Sequence, residues 1–216
     1  MSERKMIYLC LAHMSEAGME QKYVKEAFDT NWVVPLGPNV NAFEDNLKQF
    51  VGKDQQGREK EVVALSAGTA AVHLALIACG VKPGDEVCVQ SFTFCASSHP
   101  ITYLGATPVF IDSERETWNM DPVALEKAFE LYPNTKVIIL VNLYGTPAKF
   151  DEIRAIADKH GAVIIEDAAE SLGATYKGIQ TGTFGTYNCI SFNGNKIITG
   201  SSGGMLLTDD LAAANK

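Results

Sequence analysis

From Lys60 onward the chain alternates short apolar, β-branched runs with segments of helical spacing. Val62-Val-Ala-Leu65 precedes a helix-like stretch over 69–79, Glu86-Val-Cys-Val89 one over 95–103, and Thr107-Pro-Val-Phe-Ile111 one over 122–130. Lys136-Val-Ile-Ile-Leu-Val141, a helix over 149–159 and Ala162-Val-Ile-Ile165 continue the series. The runs are apolar at successive positions rather than at every second one, as strands covered on both faces should be. Strand and helix in alternation predict an α/β fold with a largely parallel sheet. After Asp167 the pattern changes, because 173–204 is rich in Gly, Thr and Ser and holds only short strand-like pieces such as Tyr187-Asn-Cys-Ile-Ser191. These are expected to join the sheet as antiparallel additions.

The residues before Lys60 read as two helices. One opens at Ser15-Glu-Ala-Gly-Met-Glu with a capping-type serine, and the second begins near Asn41-Ala-Phe-Glu44. A Pro/Gly-rich loop, Asn31-Trp-Val-Val-Pro-Leu-Gly-Pro38, separates them. The final run, Leu211-Ala-Ala-Ala-Asn-Lys216, has the character of a helix start, so further chain is expected beyond it.

Composition narrows the partners. The 216 residues are 46% hydrophobic and 20% charged, which is ordinary globular usage, and the formal net charge is −8. An acidic surface argues against nucleic acid and against an anionic membrane, and points to a small-molecule substrate. No apolar run is long enough to span a bilayer. Cys10, Cys79, Cys88, Cys95 and Cys189 form no C-x-x-C pair, and no signal peptide is visible, so a cytoplasmic setting is expected. His13, His73, His99 and His160 show no metal-ligand spacing, and no metal site is expected.

In open parallel sheets ligands sit beyond the carboxyl ends of strands, and three such positions carry chemistry. Ser66-Ala-Gly-Thr69 lies between a strand and a helix, where small residues and free N–H groups can cradle a phosphate; no lysine or arginine occurs from Val62 to Leu76. The same segment could be a plain helix cap. Ile164-Ile-Glu-Asp167 ends a buried strand in two acids, and a carboxylate there needs a cationic partner, for which a protonated pyridine nitrogen would serve. A helix N-cap aspartate is the alternative. Ser191-Phe-Asn-Gly-Asn-Lys196 sets a lysine among small residues that let a planar ligand approach, as a Schiff-base lysine requires, although a lone lysine is more often a surface residue. Phe94, after another strand, offers a flat face for an aromatic ring or for core packing.

These residues resemble the DegT/DnrJ/EryC1/StrS family of sugar aminotransferases. The resemblance runs through Pro35-Leu-Gly-Pro-Asn-Val-Asn-Ala-Phe-Glu44, Ser66-Ala-Gly-Thr-Ala70, Pro83-Gly-Asp-Glu-Val87, Thr93-Phe-Cys-Ala96 and Gly105-Ala-Thr-Pro-Val109. It continues in Leu143-Tyr-Gly145, Glu166-Asp-Ala-Ala-Glu-Ser-Leu-Gly173 and the Lys196 segment. It implies the fold-type I, aspartate aminotransferase-like large domain, and pyridoxal 5'-phosphate (PLP) as cofactor. It further implies that Lys196 carries the cofactor as a Schiff base, Asp167 pairs with the pyridine nitrogen, Gly68, Thr69 and Ser191 hold the phosphate, and Phe94 stacks on the ring. Glu170 stands where many members carry Gln or His near the ring's phenolic oxygen. With Gly194-Asn-Lys-Ile-Ile198 and Ala12-His-Met14 it resembles the subgroup that aminates UDP-linked 4-keto-6-deoxy sugars, with glutamate as donor.

The implied domain plan is an N-terminal helical segment with a substrate and dimer loop over 1–60, a PLP-binding domain over 61–216, and a small C-terminal domain outside this chain. A homodimer is implied as well. Asn31 and Trp32 are candidates for touching the sugar nucleotide, and packing at a dimer interface is the alternative for Trp32. Lysine at 196 separates the chain from the family's dehydratases, which carry histidine there. An NAD-dependent sugar-nucleotide reductase would need G-x-G-x-x-G after the first strand, which Ser66-Ala-Gly-Thr69 is not. A non-catalytic, regulatory PLP-fold protein would be expected to lack Lys196 or Asp167.

Overall fold

The structure, a computed structural model, describes residue 6 and residues 13–215; Cys10 and Ala12 lie outside the described residues. Two helices, α1 (Met19–Asp29) and α2 (Pro38–Val51), precede β1 (Glu61–Leu65) and α3 (Gly68–Ala78). Then follow β2 (Glu86–Gln90), α4 (His99–Tyr103), β3 (Thr107–Ile111), α5 (Pro122–Leu131), β4 (Val137–Val141), α6 (Phe150–His160) and β5 (Val163–Asp167). A hairpin of β6 (Thr175–Tyr176) and β7 (Ile179–Gln180) leads to β8 (Tyr187–Ser191), β9 (Gly204–Thr208) and a four-residue α7 (Leu211–Ala214).

Seven strands form one sheet in the order β1-β9-β8-β5-β4-β2-β3. Pairing is parallel from β3 through β8, and β9 runs antiparallel to both its neighbours. The expected antiparallel addition is therefore Gly204–Thr208. Tyr187–Ser191 differs from expectation: the β6–β7 excursion returns the chain to the amino end of β5, so Tyr187 pairs with Ile165 in the parallel sense.

The uninterrupted apolar runs have a direct structural reason. In β4, Ile138 and Leu140 join a core with Leu125, Phe129 and Ile153 of α5 and α6, while Val137, Ile139 and Val141 join one with Ala71, Val72 and Leu76 of α3. Both sheet faces are covered, so each position of the strand is buried. A third cluster seats Leu47 and Val51 of α2 against Met205 and Leu207 of β9. Edge strand β1 is guarded by α2, whose Glu44 carboxylate accepts the Ala64 N–H at 2.8 Å.

Three helix boundaries differ from expectation. Gly18 takes a left-handed φ of 64°, so α1 starts at Met19, with Ser15 Oγ accepting the Met19 N–H and the Glu20 carboxylate accepting from Ser15 in return. Helix α2 starts earlier than Asn41, at Pro38, because proline at the first position sacrifices no intrahelical bond. The stretch 95–103 divides into a 3₁₀ turn, Cys95–Ser97, and α4, whose second residue is Pro100.

Candidate functional site

The carboxyl ends of β1, β2, β4, β5 and β8 open onto one cavity of about 660 Å³. Its lining includes Gly68, Thr69, Phe94, Asp167, Glu170, Ser191 and Lys196, so the structure brings these seven candidates together. Asn31 and Trp32 are not among the lining residues. Asn31 has a left-handed φ of 60°, and the Trp32 ring lies over Gly37, where an added Cβ would come within 2.6 Å of it.

On the β1 side, α3 begins at Gly68 with no side chain capping its N-terminus. The first intrahelical bonds are those of Ala70 and Ala71 to the Ala67 carbonyl, so the N–H groups of Gly68 and Thr69 precede the ladder and lie on the cavity. Gly68 is tight against Ser191, since a Cβ there would lie 2.8 Å from that of Ser191. The helix start is thus a cradle with a partial positive charge and a hydroxyl beside it.

The lysine loop is tied to the same cradle. Gly203 N–H and Ser202 Oγ both donate to the Ser66 carbonyl, at 2.9 and 2.8 Å, and β9 then enters the sheet between β1 and β8. Within the loop, Lys196 N–H donates to the Asn193 carbonyl and Gly200 N–H to that of Phe192. The Lys196 side chain is only 11% exposed, and its Nζ stands 3.3 Å from Glu170 Oε1. Glu170 is held in turn by the Tyr144 N–H, 3.0 Å from Oε2. Tyr144, with a left-handed φ of 50°, sits in the turn Leu143–Gly145, which Asn119 fixes by accepting from Leu143 N–H and donating to the Thr146 carbonyl.

The two acids ending β5 part company. Glu166 is fully buried away from the cavity lining and accepts from the N–H groups of Gly182 and Phe184 and from Asn142 Nδ2, at 2.7–2.8 Å. Asp167 faces the cavity; its Oδ2 accepts from Ser97 Oγ at 2.7 Å and its Oδ1 from the Ala169 N–H at 3.1 Å. Burial pushes the Asp167 carboxyl above its usual range, while the Ser97 and Ala169 donors and the Lys196 charge act the other way. Phe94 is 68% exposed at the cavity rim.

Sequence reasoning missed Ser97, Thr93 and the Tyr144 main chain. Ser97 is three residues beyond Phe94, but its partner Asp167 lies 70 positions away, and no local signal connects them.

The sequence pattern of the DegT/DnrJ/EryC1/StrS aminotransferase family matches residues 15–216. The chain belongs to that family. EpsN of Bacillus subtilis (strain 168), by its name a provisionally assigned pyridoxal phosphate-dependent aminotransferase, is 55% identical over 98% of this chain and 54% of its own length. A GDP-perosamine synthase of Caulobacter vibrioides is 44% identical over 91% of the chain and 51% of its own. Among solved structures, the aminotransferase from Psychrobacter cryohalolentis superposes with a TM-score of 0.82 at 35% identity, covering 94% of this chain and 49% of that one. The chain spans about half the length of the curated relatives it matches.

The residues present fit PLP, whose phosphate, ring nitrogen and carbonyl carbon each need a distinct partner. The uncapped start of α3 with Ser191 suits the phosphate. A buried carboxylate suits the ring nitrogen, and a largely shielded lysine amine suits the carbonyl carbon. Among the described residues no group of His, Cys, Asp and Glu is placed to hold a metal ion, and no helix is long and apolar enough to cross a membrane.

Proposed function

We propose that the protein carrying this chain is a PLP-dependent aminotransferase that moves an amino group from glutamate to a nucleotide-linked 4-keto-6-deoxy sugar. The observation that carries the reading is the meeting, in one cavity, of a shielded lysine, a buried carboxylate and an uncapped helix start. Family membership supports it, and the names of EpsN and the perosamine synthase agree with it. The UDP-linked sugar is the first substrate to try, on the strength of Glu170 and the Gly194-Asn-Lys-Ile-Ile198 run; the GDP-linked sugar comes second, because the perosamine relative's name carries GDP.

Bound PLP supplies an electron sink that lets an amino group pass between donor and acceptor carbons. The chain's residues do the rest. The N–H groups of Gly68 and Thr69, with the Ser191 hydroxyl, bind the phosphate. The Asp167 carboxylate holds a proton at the ring nitrogen. With PLP bound, Lys196 Nζ would be the group that holds the carbonyl carbon and, as a free amine, the base that moves a proton at the substrate carbon. Phe94 covers one ring face against water. Glu170 orients the Lys196 amine from 3.3 Å, itself oriented by the Tyr144 N–H. Residues 1–60 serve as the helical and dimer-loop segment and 61–216 as the cofactor domain, in a homodimer in the cytoplasm.

The test is the visible spectrum after adding PLP and then glutamate, with Lys196→Ala alongside. A yellow band that glutamate bleaches, with bleaching lost in the variant, is expected, followed by a mass gain of one amino-for-oxo exchange on the keto sugar. Absence of any band, both in this chain and in a chimera completed with the second half of EpsN, overturns the reading.

A further inference from the structure

Two hydroxyls that line the cavity, those of Ser97 and Thr93, have no part in the proposed function. Ser97, 1% exposed, ends the 3₁₀ turn after β2 and puts its Oγ 2.7 Å from Asp167 Oδ2. Thr93 Oγ1 lies 2.8 Å from the same Ser97 Oγ. A hydroxyl has one proton to donate. Ser97 spends its proton on Asp167, so the proton between Thr93 and Ser97 belongs to Thr93, and the pair forms a donor chain directed at the carboxylate. The Ala169 N–H takes the other carboxylate oxygen. With both oxygens engaged from the protein side, the carboxylate's rotamer is set and its remaining lone pairs are left for a ligand.

The surroundings make these donors necessary. Asp167 follows Glu166 on β5 and is paired with Cys189 on β8, both buried; Glu170 adds a like charge, and Lys196 is the cation that opposes it. A carboxyl so desolvated keeps its proton unless donors favour the anion. We infer that Ser97, backed by Thr93, is a positioning residue that keeps Asp167 an aimed hydrogen-bond acceptor for a cationic N–H group in the cavity. The identity of that group as a protonated pyridine rests on the proposed function. The hydroxyl chain does not, and can be measured without cofactor.

The experiment follows the Asp167 carboxyl carbon by ¹³C NMR through a pH titration of the ligand-free chain, in the wild type, Ser97→Ala, Ser97→Thr and Thr93→Val. Losing a hydrogen bond to a charged group should raise the proton affinity of Asp167 about 10-fold in Ser97→Ala. Ser97→Thr should restore it, and Thr93→Val should move it the same way by less. In a second readout, PLP affinity should fall in the same order. Unchanged midpoints in both Ser97→Ala and Thr93→Val overturn the inference, and Thr93→Val carries the test alone if Ser97→Ala does not fold. Shifted midpoints with no PLP binding by the wild type, either as this chain or in the chimera completed with the second half of EpsN, uphold the hydroxyl chain and remove the PLP reading instead.

Discussion

Gly204 is where the lysine loop and the start of α3 touch through main chain alone, and alanine there should separate them. A Cβ at 204 would lie 2.2 Å from the Ala67 carbonyl carbon, 2.4 Å from its oxygen and 2.5 Å from the Gly68 nitrogen. Carbon contacts are comfortable near 3.5 Å, so the gap must open by roughly 1 Å. Neither side is free to give: Gly204 is paired with Leu65 and with Ser191, and Gly203 N–H is bonded to the Ser66 carbonyl. Two effects oppose. Alanine restricts the unfolded chain, which favours folding by about 0.4–1 kcal/mol, whereas overpacking costs about 1–3 kcal/mol. Overpacking wins, because the clash is with paired main chain and so falls at about 2–3 kcal/mol, leaving a net loss of about 1–2.6 kcal/mol, or a melting temperature lower by about 2–10 °C for a chain of this size. Gly194→Ala is the control, because nothing lies within 4 Å of a Cβ there, and it should melt at or slightly above the wild type. Circular dichroism melts of the three proteins, with PLP titrations beside them, measure both effects. A Gly204→Ala protein that melts within about 1 °C of the wild type and binds PLP equally well would refute the steric argument.

Glu166→Gln must turn an amide nitrogen toward one of three donors that now meet oxygen, and should cost about 1–3 kcal/mol in urea unfolding. Burial raises the Glu166 carboxyl in the folded chain, so its contribution is full at acid pH and is lost as pH rises from about 4.5 toward the folded value; the variant should lose that slope. Glu114 shifts the other way: burial acts upward but is outweighed by the Thr117 hydroxyl, the N–H groups of Glu116 and Thr117, and Lys149, leaving a carboxyl at about 2. Its contribution is present above 4.5 and disappears as pH falls through about 2, so Glu114→Gln should flatten the acid limb of the stability profile between those values.

Much of this architecture is legible in the sequence, and the reason is periodicity. A strand covered on both faces must be apolar at each position, and Val137–Val141 announces that without any long-range knowledge. The lysine, the cradle and the β5 acids are legible because each follows a strand, and a parallel sheet gathers strand ends. What the sequence hides is contact across long separations. Nothing near Ser97 signals Asp167, and position at the strand end alone, without the family resemblance, does not separate Glu166 from Asp167; the fold turns one to the cavity and surrounds the other with donors. The direction of Tyr187–Ser191 is hidden for the same reason, since the small β6–β7 hairpin decides at which end of β5 the chain re-enters.

The position of β9 also governs the order of assembly. Among the described residues β1 pairs in the sheet only with β9, so Leu65 must wait for Gly204, 139 residues later (204 − 65). At ribosomal speeds of about 5–20 residues per second, that wait is roughly 7–28 s. Strands β2 to β5 can pair among themselves meanwhile, as their partners emerge in near succession. Among the described residues the earliest strand is therefore the last to dock, and the closing of β9 onto it completes the seven-stranded sheet and brings the cradle to the lysine in one event.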